Sequence, residues 1–141
     1  MSTKRGRRRP LFSSLVRGAA LGAGIAAARA ARHWLDVVEV RGGSMAPTLL
    51  PGDWLLIERR TYERRTPRVG EIVLAPDPRE PSRELIKRVA RVDGSAGTLE
   101  LHGDAPDAST DSRVFGALPL ADVRWRVLSR YWPPDRIGRV A

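Results

Sequence analysis

The chain has no cysteine, two histidines and only two lysines, Lys4 and Lys87, among its 25 basic residues. Without cysteine there is no disulfide, no thiolate metal site and no cysteine nucleophile. His33 and His102 stand apart from each other and from clustered acids, so no metal site is expected and no cofactor is implied. Acidic residues are missing from positions 1–35, which carry eight basic ones. The net charge of +9 belongs to that end, because the remainder holds 17 basic against 16 acidic residues. A basic face for nucleic acid is therefore not expected on the folded part. An N-terminal segment that meets anionic lipid or another polyanion is.

Long apolar runs are also lacking. The uncharged run Gly18–Ala28 is eleven residues, against about 20 needed to cross a bilayer as a helix. Extending it to Leu11–Ala28 places Arg17 inside, at about 2.5–3.5 kcal/mol if central. The same arginine breaks the apolar core that a cleaved signal peptide needs. Residues 11–35 read as a helix of small residues, in solution or on a membrane surface in preference to a single span, which stays open as the alternative. The protein is accordingly expected in the cytoplasm or at a cytoplasmic membrane.

What remains, residues 36–141, is enough for one domain with a core. Short apolar runs alternate with turn signals: a strand entered through Trp34–Val40, then Trp54–Ile57, Ile72–Leu74, Leu85–Val92 and Thr98–Leu101. Leu118–Arg126 and Val127–Tyr131 supply at least one more. Arg59–Arg68 reads as a charged loop, Pro76–Pro81 as a proline loop, and Asp53 as the cap of the turn that begins at Leu50. The pattern predicts a mostly β domain.

The densest stretch is Val40-Arg41-Gly42-Gly43-Ser44-Met45-Ala46-Pro47-Thr48-Leu49. Gly42 and Gly43 let a ligand approach the backbone closely, and Pro47 stiffens the turn around it. The expectation is a serine on a tight turn after a strand, with Gly42, Gly43 and Met45 beside a substrate groove. Taken alone, such a serine can equally bond nearby backbone.

Lys87 alters that balance. Where this chain needs only positive charge it uses arginine, yet Leu85-Ile86-Lys87-Arg88-Val89-Ala90 sets a lysine in an apolar, strand-like run. A buried lysine can lose its proton and an arginine cannot. A neutral amine beside a serine hydroxyl can act as its general base.

A third block, Gly103-Asp104-Ala105-Pro106-Asp107-Ala108-Ser109-Thr110-Asp111-Ser112-Arg113, completes a set. In this order the three blocks resemble the type I signal peptidase family, over about Val38 to Val127. The resemblance implies a partly open, coiled β-barrel, with Ser44 as nucleophile and Lys87 as base. It places an orienting hydroxyl at Ser109 and an ion pair at Asp111 and Arg113, with Arg88 nearby. Ser112, read from the residues alone, is a local cap and not a catalytic group. The Ser44 N–H would meet the oxyanion, because Gly42 stands where some members carry a helping hydroxyl. Ala105 stands where the family has asparagine. The second β domain of larger members is expected to be missing.

A narrower resemblance, to the nickel-type superoxide dismutase maturation proteases, rests on the shortness of the chain and on Arg130-Tyr131-Trp132-Pro133-Pro134. It implies a single precursor whose N-terminal leader is removed to expose a nickel-binding end, and a protease that itself needs no nickel. The family at large implies secretory signal peptides with small residues before the cut. Three rivals stand beside these. Self-cleaving serine–lysine repressors share the dyad but lack the third block. An α/β-hydrolase would match Gly42–Ala46 but not Pro47 or the absence of strand–helix alternation. A non-enzymatic adaptor would act through residues 1–35 alone.

Overall fold

The computed structural model describes residues 26–29 and 31–140. The helix expected over 11–35 therefore lies mostly outside the described residues; 26–29 and 31–34 are helical, and the first strand starts at Leu35. The unit Trp34–Ala141 holds the whole sheet. Its strands are β1 (Leu35–Glu39), β2 (Trp54–Glu58), β3 (Ile72–Asp77), β4 (Glu80–Asp93), β5 (Thr98–His102), β6 (Leu118–Pro119), β7 (Trp125–Trp132) and β8 (Gly138–Arg139). They pair antiparallel in the order β1-β2-β7-β3-β4-β5-β6, with β8 added alongside β7. The end strands β1 and β6 do not meet, so the sheet stays open, and the mostly β expectation holds.

β3 lies near the middle of that order, and its composition explains why. Ile72, Val73, Leu74 and Ala75 are all buried, so both of its faces are covered. Ile72 and Leu74 join Val40, Met45, Leu49, Leu55, Ile57 and Val127 in one core. Val73 and Ala75 join Val89, Leu99, Leu101, Leu118 and Val123 in a second. Each fully buried aliphatic side chain contributes about 1.5–3 kcal/mol, so a sheet coiled to cover both faces of β3 is strongly preferred.

Three local expectations need correction. Pro76–Pro81 is not a loop: β3 runs to Asp77 and β4 starts at Glu80. Asp77 makes the short turn by accepting the Arg79 N–H at 3.0 Å and pairing with its guanidinium at 2.7 Å. The prolines are tolerated because the register breaks there: Pro76 faces Glu84 while Asp77 faces Glu80, leaving Pro81, Ser82 and Arg83 as a bulge of β4. Within Arg59–Arg68, Thr61–Arg64 forms one helical turn. Its neighbour Arg65 (3.1 Å) and Tyr62 (3.0 Å) both bond Glu71, which also accepts the Arg68 N–H. Of Leu118–Arg126 only the two ends are strand; Leu120–Asp122 is a 3-10 turn.

Asp53 does close its turn, accepting the Leu50 N–H at 2.9 Å. It is also buried between Arg136, at 2.8 Å, and Arg130, at 3.4 Å. Arg130 further donates to the Thr48 carbonyl at 2.8 Å. The late arginines thus brace the turn that begins at Ser44.

Candidate active site

Ser44 sits where the sequence places it. Past β1, Val40 continues the pairing through bonds to Asp53 and Gly52, each 2.8 Å. The chain then turns over Ser44–Thr48, with Ala46 N–H to Gly43 O at 3.1 Å and Leu49 N–H to Met45 O at 2.9 Å. Met45 and Leu49 are buried in the first core and anchor the turn, which leaves Ser44 half-buried. Met45, expected in a groove, borders the cavity but is itself 1% exposed. A Cβ on Gly42 or Gly43 would meet nothing within 4 Å. The Ser44 carbonyl accepts the Ala105 N–H at 2.9 Å, and among the described residues the Ser44 N–H has no partner.

Lys87 lies on the inward face of β4 between Leu85 and Val89 and is 3% exposed. Its Nζ donates to Ser109 Oγ at 3.0 Å. Burial pushes its pKa below the ordinary lysine value; Asp111 opposes this, and Arg83 and Arg113 add to it. Lys87 and Ser44 are not hydrogen-bonded to each other, but both line one cavity of about 720 Å³. Residues 38–45 and 82–87 line it, together with Leu74, Ala108, Thr110 and Arg124.

The third block supports Lys87 from behind. Ser109 Oγ donates to Asp111 Oδ2 at 2.6 Å, so its lone pairs are turned to the lysine. Asp111 is fully buried, pairs with Arg113 at 2.5 Å and accepts the Gly103 N–H at 2.8 Å. Burial pushes this carboxyl up, but Arg113, Gly103 and Ser109 together hold it well below the usual carboxylate range. Asp111 also caps the helical turn Ser112–Phe115 by accepting the Arg113 N–H at 3.1 Å. Ser112, expected to cap locally, instead accepts the Leu101 N–H at 2.8 Å and ties the turn to β5. Arg88, expected beside the Asp111 pair, engages Asp104 at 2.7 Å.

Two positions escape a reading of the sequence. Asp104 is the partner of Arg88, and Gly103 is the point where the Ser44 turn and the Ser109 segment close on one another. A Cβ there would lie 2.2 Å from Ser109 Oγ and 2.5 Å from Ser44 O. Both open the third block, six and five residues before Ser109, and their place in that block is the one signal that points to them. Among the described residues no group of His, Cys, Asp and Glu could hold a metal ion.

The family model for signal peptidase, peptidase S26, matches residues 14–96, a span that includes Ser44 and Lys87 and ends before Gly103. The mitochondrial ATP-independent inner membrane protease subunit 1a of Arabidopsis thaliana is 32% identical over 128 residues, covering 76% of each chain. The mitochondrial inner membrane protease subunit 1 of Xenopus tropicalis is 32% identical over 121 residues, 73% of this chain and 72% of the relative. Its Homo sapiens counterpart is 29% identical over 120 residues, 72% of each. The chain belongs to the signal peptidase family, peptidase S26.

Proposed function

We propose that this protein is a serine endopeptidase that removes N-terminal leaders from precursor proteins, with Ser44 as nucleophile and Lys87 as general base. The observation that carries this is a lysine only 3% exposed, its amine held by Ser109, that shares a cavity with Ser44. Neutral Lys87 takes the Ser44 proton as Oγ attacks the peptide carbonyl carbon. The carbonyl oxygen gains charge and meets the unpartnered Ser44 N–H. The tetrahedral intermediate collapses, and the Lys87 ammonium gives its proton to the departing amine. Water, deprotonated by Lys87, then hydrolyses the acyl-enzyme and frees Ser44. Ser109, bonded to Asp111, keeps the amine aimed.

The mitochondrial relatives are inner membrane protease subunits. With the basic residues 1–35, this favours action at a membrane surface. No described helix is long and apolar enough to cross a membrane. The finer reading, a nickel superoxide dismutase precursor as substrate, rests on chain length and the Arg130–Pro134 stretch. Arg130 has a bracing role of its own here, and these relatives lend that reading nothing further.

Co-expression with a nickel superoxide dismutase precursor, or with a secretory protein bearing an Ala-Xaa-Ala leader, tests both levels by intact mass. Trimming by wild type and not by Ser44→Ala supports the protease, and which precursor is trimmed assigns the substrate. If neither is cut, and Ser44→Ala behaves as wild type while deletion of residues 1–33 abolishes function in the cell, the adaptor reading replaces it.

A further inference from the structure

The cavity that holds Ser44 and Lys87 is charged in a particular way. Three arginines, Arg41, Arg83 and Arg124, face two glutamates, Glu39 and Glu84. Arg124 is matched by Glu84 at 3.2 Å. Arg41 reaches Glu39 only at 4.0 Å, and its side chain is 89% exposed. The Arg83 side chain makes no hydrogen bond or close ion pair among the described residues, although its charge helps hold the buried Asp77 carboxyl below its ordinary value. It is exposed, in the bulge of β4 that forms one wall, four residues before Lys87. Bulges beside active sites re-aim side chains, and this one brings to the cavity a guanidinium with no hydrogen-bonded partner.

We propose that Arg83 is a specificity residue that reads an acidic side chain of the precursor within about four residues of the cleaved bond. This rests on the cavity being the peptide cleft. An extended peptide and β4 advance alike, at about 3.3 Å per residue. A chain lying along β4 with its reacting carbonyl at Lys87 therefore carries a side chain past Arg83 three or four positions away. An aspartate or glutamate there gains a charge-assisted, two-pronged bond to the guanidinium. A lysine there is repelled. Arg41, which also lines the cavity three residues before Ser44, adds to the same preference without fixing a position.

The functional pressure on Arg83 is separable from its effect on Lys87. Its charge helps keep the amine neutral, which touches turnover and its pH profile. Recognition of an acid touches binding, and binding can be read with no chemistry at all.

The experiment uses 14-residue Ala/Ser-rich peptides in which one Asp, Asn or Lys is walked through four positions on either side of the centre. Affinity for full-length Ser44→Ala protein is measured by fluorescence anisotropy at low salt, and cleavage by the wild type is read by mass spectrometry. The expected result is one position at which Asp binds about threefold to fivefold tighter than Asn. That gain vanishes in Arg83→Gln, turns into a preference for Lys in Arg83→Glu, and fades at high salt. Equal binding of Asp, Asn and Lys peptides at every position, or no measurable binding, overturns the Arg83 assignment. Cleavage by wild type and not by Ser44→Ala would leave the protease reading standing in that case. An Asp preference that survives in Arg83→Gln also overturns the assignment. A preference that depends on Arg83, with no cleavage of any peptide, would sink the dyad alone.

Discussion

Gly103 and Ser109 are in such close approach that a methyl group on the glycine would stand 2.2 Å from the serine Oγ and 2.6 Å from its Cβ. The same methyl would meet Ser44 O at 2.5 Å, and that atom is backbone and cannot swing away. Gly103→Ala must therefore push apart the turn that carries Ser44 and the segment that orients Lys87. The expected cost is about 1–3 kcal/mol of stability, as for other overpacked sites, with turnover falling further than the loss of folded protein explains. Denaturant unfolding and kcat on the same sample check it. A variant with unchanged kcat would show that the site does not depend on this contact.

Gly42 and Gly43 give the opposite expectation. A Cβ at either position meets nothing within 4 Å, and both line the cavity. Gly42→Ala and Gly43→Ala should leave stability within about 0.5 kcal/mol of wild type. If a peptide lies against this wall, each should raise KM more than it lowers kcat. Unchanged KM in both variants would move the peptide to the other wall.

The base can be tested by charge and by pH. Lys87→Arg keeps a cation but cannot be deprotonated, so it should be as inactive as Lys87→Ala, with kcat down about 100-fold or more. In the wild type, kcat/KM should rise with pH as Lys87 loses its proton. The midpoint should lie below the usual lysine value near 10.4, because burial favours the neutral amine. A flat profile, or substantial activity in Lys87→Arg, would remove Lys87 as the base.

Particular residues explain why some of these features are readable from sequence and others are not. Ser44 and Lys87 are legible because each breaks a local habit: a serine between glycines and a rigid Pro47, and a lysine where the chain otherwise writes arginine. The strands are legible from their apolar runs. The turn at Pro78-Arg79 is not, because prolines normally end strands; here a register break and the Asp77–Arg79 bonds absorb them. Nor are the pairings Arg88–Asp104 and Arg130–Asp53, which join residues 16 and 77 positions apart. With 25 basic and 16 acidic residues, the sequence offers too many candidate pairs for composition to choose among them.

Asp111 predicts an acid-sensitive fold. Its carboxyl is held below the usual range, so it binds a proton less readily folded than unfolded. The stability it gives is complete above the unfolded value near 3.9 and is lost as pH falls toward the folded one. Asp111→Asn should be less stable than wild type by about 2 kcal/mol at pH 7, since it weakens charge-assisted bonds to Arg113 and Gly103. Below pH 4 the two should converge. A gap that stays constant down to pH 2 would mean that Asp111 contributes by shape rather than by charge.

Lys87 has the reverse linkage, and it separates stability from function. Its folded pKa lies below the unfolded one, so below the folded value the protein carries the full cost of a buried ammonium. Between the two values unfolding takes up a proton, and wild-type stability rises with pH; above about 10.4 the cost is gone. Lys87→Met keeps the length of the side chain and removes the charge, so it should be inactive yet more stable than wild type at neutral pH. Its advantage should shrink steadily toward pH 10.4. Guanidinium unfolding of both proteins across pH 6–10 would track this directly. A difference independent of pH would show that the folded protein does not depress the lysine. A methionine variant less stable than wild type at pH 7 would show that the bond to Ser109 outweighs the burial of the charge.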